Sequence, residues 1–304
     1  MQWFNKTSQQ AWTAIRSADN STILAQVSKG GSKPLVAFTA IEPGDFRQKE
    51  ALKTLAAKYK LKQARCTYVL GLSEYQLLQV EAPNVPQNEQ ASAVRWKLKD
   101  MIDYPVEDAM IDLLAIPQDP AYQNKQSYLY AVAAKNSVVG PLANAFIEAG
   151  MPLSAIDVRV AAQRNIAAYL EQPDRGLAML KVGSNGALLT FTHGGELYHA
   201  RRFVDIDEVL SAGAIERIAL ELQRSLDHFD RQFPFIAVNK LLVAPFEGRD
   251  ALVAHLRTAL YIPVEGFALS DVFDFSEQVN LGDLAMQSRM FTVLGAALRE
   301  EAIA

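Results

Sequence analysis

The stretch LKVGSNGALLTFTHGGELYHARRF, Leu180 to Phe203, repeats a pattern already present in TAIRSADNSTILAQVSKGGSKPLVAFTAIE, Thr13 to Glu42. Each reads as strand, small polar turn, strand, Gly-Gly turn and strand, and the turn residues are types that tolerate tight reversals. The first copy predicts strands near Trp12–Ser17, Thr22–Val27 and Leu35–Ile41, then a helix from about Phe46 to Tyr59 and the strand of CTYVLGL. The second predicts strands near Leu177–Val182, Ala187–Thr192 and Leu197–Phe203. A long helix from about Asp207 to Phe233 follows, then the strand KLLVA and a helix near Arg249–Leu260. On the long helix Ile218, Leu222, Leu226 and Phe229 recur at helical spacing and form one apolar stripe. A meander that occurs twice with the same successors implies a duplicated α/β unit.

A different order separates the copies. YQLLQVEAP, AMIDLLAIP, SYLYAVAAK and LSAIDV read as strands, and QNEQASAVRWKLKDMI and VVGPLANAFIEAG as helices. Together they give β-α-β-β-α-β, the split ferredoxin-like arrangement. The expected division is residues 12–72 and 158–176 for the first half, 73–157 for the insert and 177–304 for the second half. Val94, Leu98, Met101 and Ile102 are expected on the buried face of the insert's first helix. QDPAYQNKQ reads as an exposed hairpin loop, and AAQRNIAAYL as a helix returning to the first half.

Composition removes several function classes. A formal net charge of −4 over 304 residues gives no basic surface for nucleic acid. The single cysteine, Cys66, rules out an internal disulfide framework, and its apolar strand context predicts a buried structural thiol. No apolar run approaches the ~18 residues needed to span a bilayer. MQWFNKTSQQAW lacks the apolar core of a signal peptide, so a cytoplasmic location is expected. Trp3 and Phe4 read as a frayed end or packed terminus rather than as a membrane or partner contact. The four histidines lack zinc-type spacing, and His193 reads as a turn residue. No GxSxG, HExxH or GxxxxGK[ST] pattern occurs.

Two strand meanders, each followed by helix, strand and helix, resemble the build of the actin-like (ribonuclease H-like) ATPases, and the inserted unit resembles subdomain 1C of the PilM and FtsA branch. The most specific stretch is EAPNVPQNEQASAVRWKLKDMIDYPVEDAMIDLLAIP, Glu81 to Pro117. It is similar to the PilM-type proteins of type IV pilus assembly, and most of all to the MshI proteins of mannose-sensitive haemagglutinin pilus biogenesis. That resemblance implies a nucleotide cleft between the halves, lined here by Arg16, Ser17, Lys181, Gly183, Ser184, Asn185 and Gly248. In the ATP-binding members each first turn resembles Asp-Ile-Gly with small hydroxyl residues, whose acids serve Mg²⁺ and its waters. Here Arg16 and Lys181 stand in place of the acids, and the adenosine loop reads VAPFEG, with Pro245 and Phe246 where glycines are usual.

The expectation is therefore a degenerate cleft with no catalytic residue, metal or cofactor; the alternative is an active ATPase binding Mg-ATP between its halves. The resemblance further implies a cytoplasmic scaffold, peripheral to the inner membrane, that binds the cytoplasmic N-terminal segment of a single-pass pilus assembly protein. In the PilM-type proteins that segment resembles an extended peptide in a groove between subdomains 1A and 1C. Arg95, Trp96, Lys99, Asp103, Tyr104 and Pro105 are expected to form the docking face, because the apolar stripe of their helix does not account for them.

Overall fold

Alternation along the two meanders gives each sheet two apolar faces, and the fold is the result of covering all four. The computed structural model describes residues 11–45, 49–118, 127–151, 153–183, 186–204, 206 and 210–300. Strands β1 (Trp12–Ala18), β2 (Ser21–Ser28) and β3 (Leu35–Pro43) pair antiparallel, as do β9 (Gly176–Gly183), β10 (Gly186–His193) and β11 (Glu196–Phe203). The β1–β2 turn places Asp19 at φ 50° and Asn20 at φ 53°. Two successive left-handed residues make the type I′ turn, whose twist matches that of the strands it joins.

Helix α1 (Lys49–Lys58) leads to β4 (Arg65–Val69), which lies parallel to β1. Then come β5 (Tyr75–Glu81), α2 (Gln87–Leu98), β6 (Ala109–Ala115), β7 (Tyr128–Lys135), α3 (Asn136–Glu148), β8 (Leu153–Asp157) and α4 (Arg159–Ala167). After β11 follow α5 (Ala212–Gln232), β12 (Val238–Val243), α6 (Arg249–Ala259), β13 (Val264–Gly266), β14 (Asp274–Phe275) and α7 (Leu284–Ala297). One sheet has the order β14-β3-β2-β1-β4-β8, the second β11-β10-β9-β12-β13, and a small third sheet β5-β7-β6.

The expected insert is corrected by this topology. Its element order is present, but β8 pairs with β4 in the first sheet rather than closing a four-stranded ferredoxin-like sheet. Val139, Leu142 and Phe146 of α3 are buried in the same cluster as Leu52 and Leu55 of α1. Only β5, α2, β6 and β7 share a separate core, built on Val80, Val94, Leu98, Ile102, Val106, Leu129 and Ala131. Helix α2 ends at Leu98, so Ile102 reaches that core from the following turn while Met101 is 46% exposed.

A second difference concerns the halves. The chain's last helix, α7, does not remain with the second sheet; it packs on β1, β2 and β4, and β14 extends the first sheet beside β3. Helix α4 in turn covers β9, β10 and β11. The two helices lie against each other between the sheets, sharing a core of Ala162, Ile166, Phe291 and Leu294 with Ala14, Ile23, Leu177 and Met179. The outer faces are covered by α1 and α3 on one side and by α5 and α6 on the other. Helix α5 starts at Ala212, where the Ser211 hydroxyl accepts a hydrogen bond from the Ala214 N–H at 3.2 Å. The expected starts at Phe46 and Asp207, the loop residues 119–126, and Trp3 and Phe4 lie outside the described residues.

The α4–α7 crossing depends on Gly295. A Cβ there would meet the Ala162 carbonyl oxygen at 2.2 Å, and the Gly295 carbonyl accepts from Asn165 Nδ2 at 2.9 Å. Gly295→Ala is expected to push the helices apart and destabilise the protein by roughly 1–3 kcal/mol, read from denaturant midpoints.

Burial of His199 makes stability pH-dependent. Its ring centroid lies 5.8 Å from that of Phe191 and 5.4 Å from that of His228. Burial first, then the charges of His228 and Arg201, depress its pKa from 6.5 to about 4. Between those values the unfolded chain holds the extra proton, so stability is complete above pH 6.5 and falls on acidification towards pH 4. His199→Phe is expected to flatten that part of the melting-temperature profile.

Candidate functional site

The two hairpins position their cations equivalently. Arg16 pairs with Ile23, two residues before the last pair of its hairpin, Ala18 with Ser21. Lys181 pairs with Leu188, also two residues before its last pair, Gly183 with Gly186. Strand alternation puts Arg16 on the side of Trp12 and Ala14, and Lys181 on the side of Leu177 and Met179. Both side chains therefore point into the space that α4 and α7 occupy, and they line one cavity of about 370 Å³ between the sheets.

The cavity is strongly basic. Arg16, Lys181, Arg159 from the first turn of α4 and Arg289 from α7 face it, with Asp19 the one carboxylate among the described residues that line it. Burial, reinforced by the charge of Arg159, lowers the pKa of Arg16 from 12.5 to about 10, and its Nε is closed off from solvent without a hydrogen-bond partner. Burial likewise lowers that of Arg159, while Asp19 and Glu74 act in the other direction. The Lys181 ammonium donates to the Val182 carbonyl and to Ser288 Oγ, at 2.8 Å for the latter. These contacts hold the ammonium at the cavity wall. Gln163 anchors α4 to the second sheet, its amide donating to the Met179 carbonyl at 2.8 Å and to Thr190 Oγ1 at 2.9 Å.

Of the remaining cleft residues named from sequence, Gly183 lines the cavity. Ser17 does not: alternation turns it to the opposite face of β1, where its hydroxyl donates to Asp45 at 2.9 Å. Gly248 precedes α6 and is not among the lining residues. Ser184 and Asn185 lie outside the described residues. Sequence reasoning missed Arg159, Arg289 and Ser288. Arg159 opens a helix that was legible, whereas α7 could have been found from its N-cap, Asp283, which accepts from the Met286 N–H at 2.6 Å.

The residues expected to dock a partner lie on the small sheet's outer side. Leu129 and Ala131 alternate with Tyr130 and Val132 along β7, the first pair under α2 and the second towards the body of the molecule. Trp96 is 76% exposed on α2. Lys99 and Pro105 are exposed too, and Asp103 accepts from Gln76 Nε2 at 2.9 Å. Arg95 turns inward and donates to the Val106 carbonyl, tying the helix to the following turn. Tyr104 is half-buried, with the Lys135 ammonium 4.9 Å from its ring centroid. None of the six lines the groove on the other side of the sheet, a cavity of about 510 Å³ between the small sheet and the first half. Its floor includes Met110, Leu114 and Val132 from the small sheet and Ile156 from β8, and Arg164 and Arg299 stand at its edge. There Asp157, only 4% exposed, meets Arg299 at 3.2 Å.

No protein-family model matches the sequence, and no curated protein matches it significantly. Solved structures do match its fold. A PilM–PilN type IV pilus biogenesis complex aligns at a TM-score of 0.70 and 17% identity, over 95% of this chain and 97% of the other. The cytoplasmic domain of EpsL, an inner-membrane component of the type II secretion system of Vibrio cholerae, aligns at 0.52 and 12% identity, over 96% and 97%. A protein of actin-like ATPase fold from Bacteroides thetaiotaomicron aligns at 0.51 and 9% identity, over 90% and 96%. The fold is the duplicated actin-like one.

The residues present do not fit the Mg-nucleotide that this fold implies. A hard dication needs oxygen ligands, and the two hairpin positions facing the cleft carry cations instead. Phe246 is 1% exposed and belongs to the core packed against α5 and α6, so the second half's loop is filled by its own side chain. An arginine held unpaired in a largely buried site opposes folding, so Arg16→Met is expected to stabilise the protein by roughly 0.5–2 kcal/mol in chemical denaturation.

Proposed function

We propose that this chain is a non-catalytic scaffold of a type IV pilus or related secretion machine, holding an extended cytoplasmic segment of an inner-membrane partner. The observation that carries the non-catalytic part is the four-cation cleft, where an actin-like ATPase would need acids. The likeness in fold to a PilM–PilN pilus complex and to the EpsL cytoplasmic domain supports the choice of machine. Within that class, the mannose-sensitive haemagglutinin branch is proposed from the Glu81–Pro117 stretch. The chain would work at the cytoplasmic face of the inner membrane through its partner; no helix among the described residues is long and apolar enough to cross a membrane.

The groove behind the small sheet is the better seat for the partner segment than the outer face of α2. Strand β6 is an edge of its sheet, so its outward backbone groups can pair with an added strand, and Met110, 50% exposed, lies beside apolar pockets. Arg164 and Arg299 share the groove with Asp112, Asp157 and Glu300, and Arg299 is paired with Asp157, so backbone pairing and apolar contact rather than net charge would hold the segment. Trp96 is not among the residues that line this groove.

Two measurements test this reading. Mg-ATP at millimolar concentration is expected to leave the melting temperature unchanged and to be turned over no faster than background, whereas a Mg²⁺-dependent rise would restore the ATPase reading. Met110→Arg is expected to abolish capture of the N-terminal cytoplasmic segment of the pilus partner, while Trp96→Ala leaves it intact. The reverse result would move docking to α2.

A further inference from the structure

The cleft that does not fit Mg-ATP is nevertheless a built site. Arg16, Arg159, Lys181 and Arg289 converge on it from β1, α4, β9 and α7, which belong to separate parts of the chain. Among the described residues, four cations and one carboxylate line this cavity of about 370 Å³. The side chains of Arg16, Arg159 and Arg289 make no hydrogen bond or ion pair with the described residues. Arg16 Nε is both unpartnered and shut off from bulk water, an arrangement that opposes folding unless something else accepts its proton. The cations are also held rather than floppy: Lys181 is tied to Ser288, and Arg159 follows the α4 N-cap while Gln163 fixes the same helix to β9.

We propose that the cleft binds a compact polyphosphate anion directly, without a metal ion. Guanidinium groups suit this ligand because their planar forks match adjacent phosphoryl oxygens, and several arginines can share one multiply charged chain. Magnesium is excluded as a bridge by the same charges, since a dication among four cations is repelled. The anion needs no base, because Pro245 and Phe246 are buried in the core and leave the adenosine side filled. Such a ligand would tie α4, α7 and both hairpins together, coupling the two halves of the scaffold.

Titration calorimetry on the full chain with inorganic pyrophosphate and triphosphate, in the presence of a chelator, tests this. Saturable binding is expected, with a rise in melting temperature, and excess Mg²⁺ is expected to weaken it by complexing the anion. ATP under the same chelating conditions is expected to bind no more tightly than triphosphate, because adenosine adds no contact. Arg289→Gln, at an exposed position, and Arg16→Met should each weaken binding about tenfold or more, the loss of one charge-assisted contact. Capture of the membrane-protein segment should be retained in both variants, which separates this proposal from the docking groove. Absence of binding, an equal response to sulfate at matched ionic strength, a requirement for Mg²⁺ or unchanged affinity in both variants would each overturn it.

Discussion

The contact between α4 and α7 is the constraint on which the rest of the molecule depends. Two sheets with apolar faces turned towards each other would leave a slot too wide to close, and a pair of crossing helices fills it. The pair is shared crosswise, with the helix from the middle of the chain lying on the second sheet and the helix from its end lying on the first. Neither half can therefore complete its core alone. Gly295 sets how closely the helices approach, because a methyl group there would overlap the Ala162 carbonyl.

The same crossing creates the basic cleft. The helix pair brings Arg159 and Arg289 up to Arg16 and Lys181, which the duplicated hairpins hold in matching register. Burial in the cleft first, then the charges of Arg159 and Arg289, disfavour the charged form of Arg16 and lower its pKa to about 10. That electrostatic strain makes sense as preparation for an anion and has no use in holding a dication. Cys66 offers a contrast: its side chain is fully buried in the core, and burial alone pushes the thiol up to about 12.

Strand parity gives the small sheet two distinct faces. One face carries α2 and a separate core; the other turns towards the first half, with Tyr130 Oη accepting the Ala200 N–H at 2.9 Å from the second sheet. The concave side, not the exposed tryptophan, has the edge strand and apolar floor an extended peptide requires.

The duplication, the two meanders, most helices and the Arg16 and Lys181 substitutions were legible in the sequence, because turn chemistry and hydrophobic period are local properties. Leu98 and Val94 were placed correctly by helical spacing, and Met101 was not, because the helix ends before it. Strand partnership was not local: LSAIDV looks equally suited to either sheet, and only the packing of α3 on α1 directs it to β4. The destination of α7 was equally hidden, since a helix buried nearly all round shows no face to assign. Ser17 and Arg95 were misjudged for a related reason, as adjacent side chains on a strand face opposite ways and a long arginine can turn back to its own chain. The sequence by itself determined which segments become strands and helices and which turn positions carry charge; the tertiary structure alone decided which sheet each joins and which charges meet, because those depend on competition for apolar surface between residues far apart in the chain.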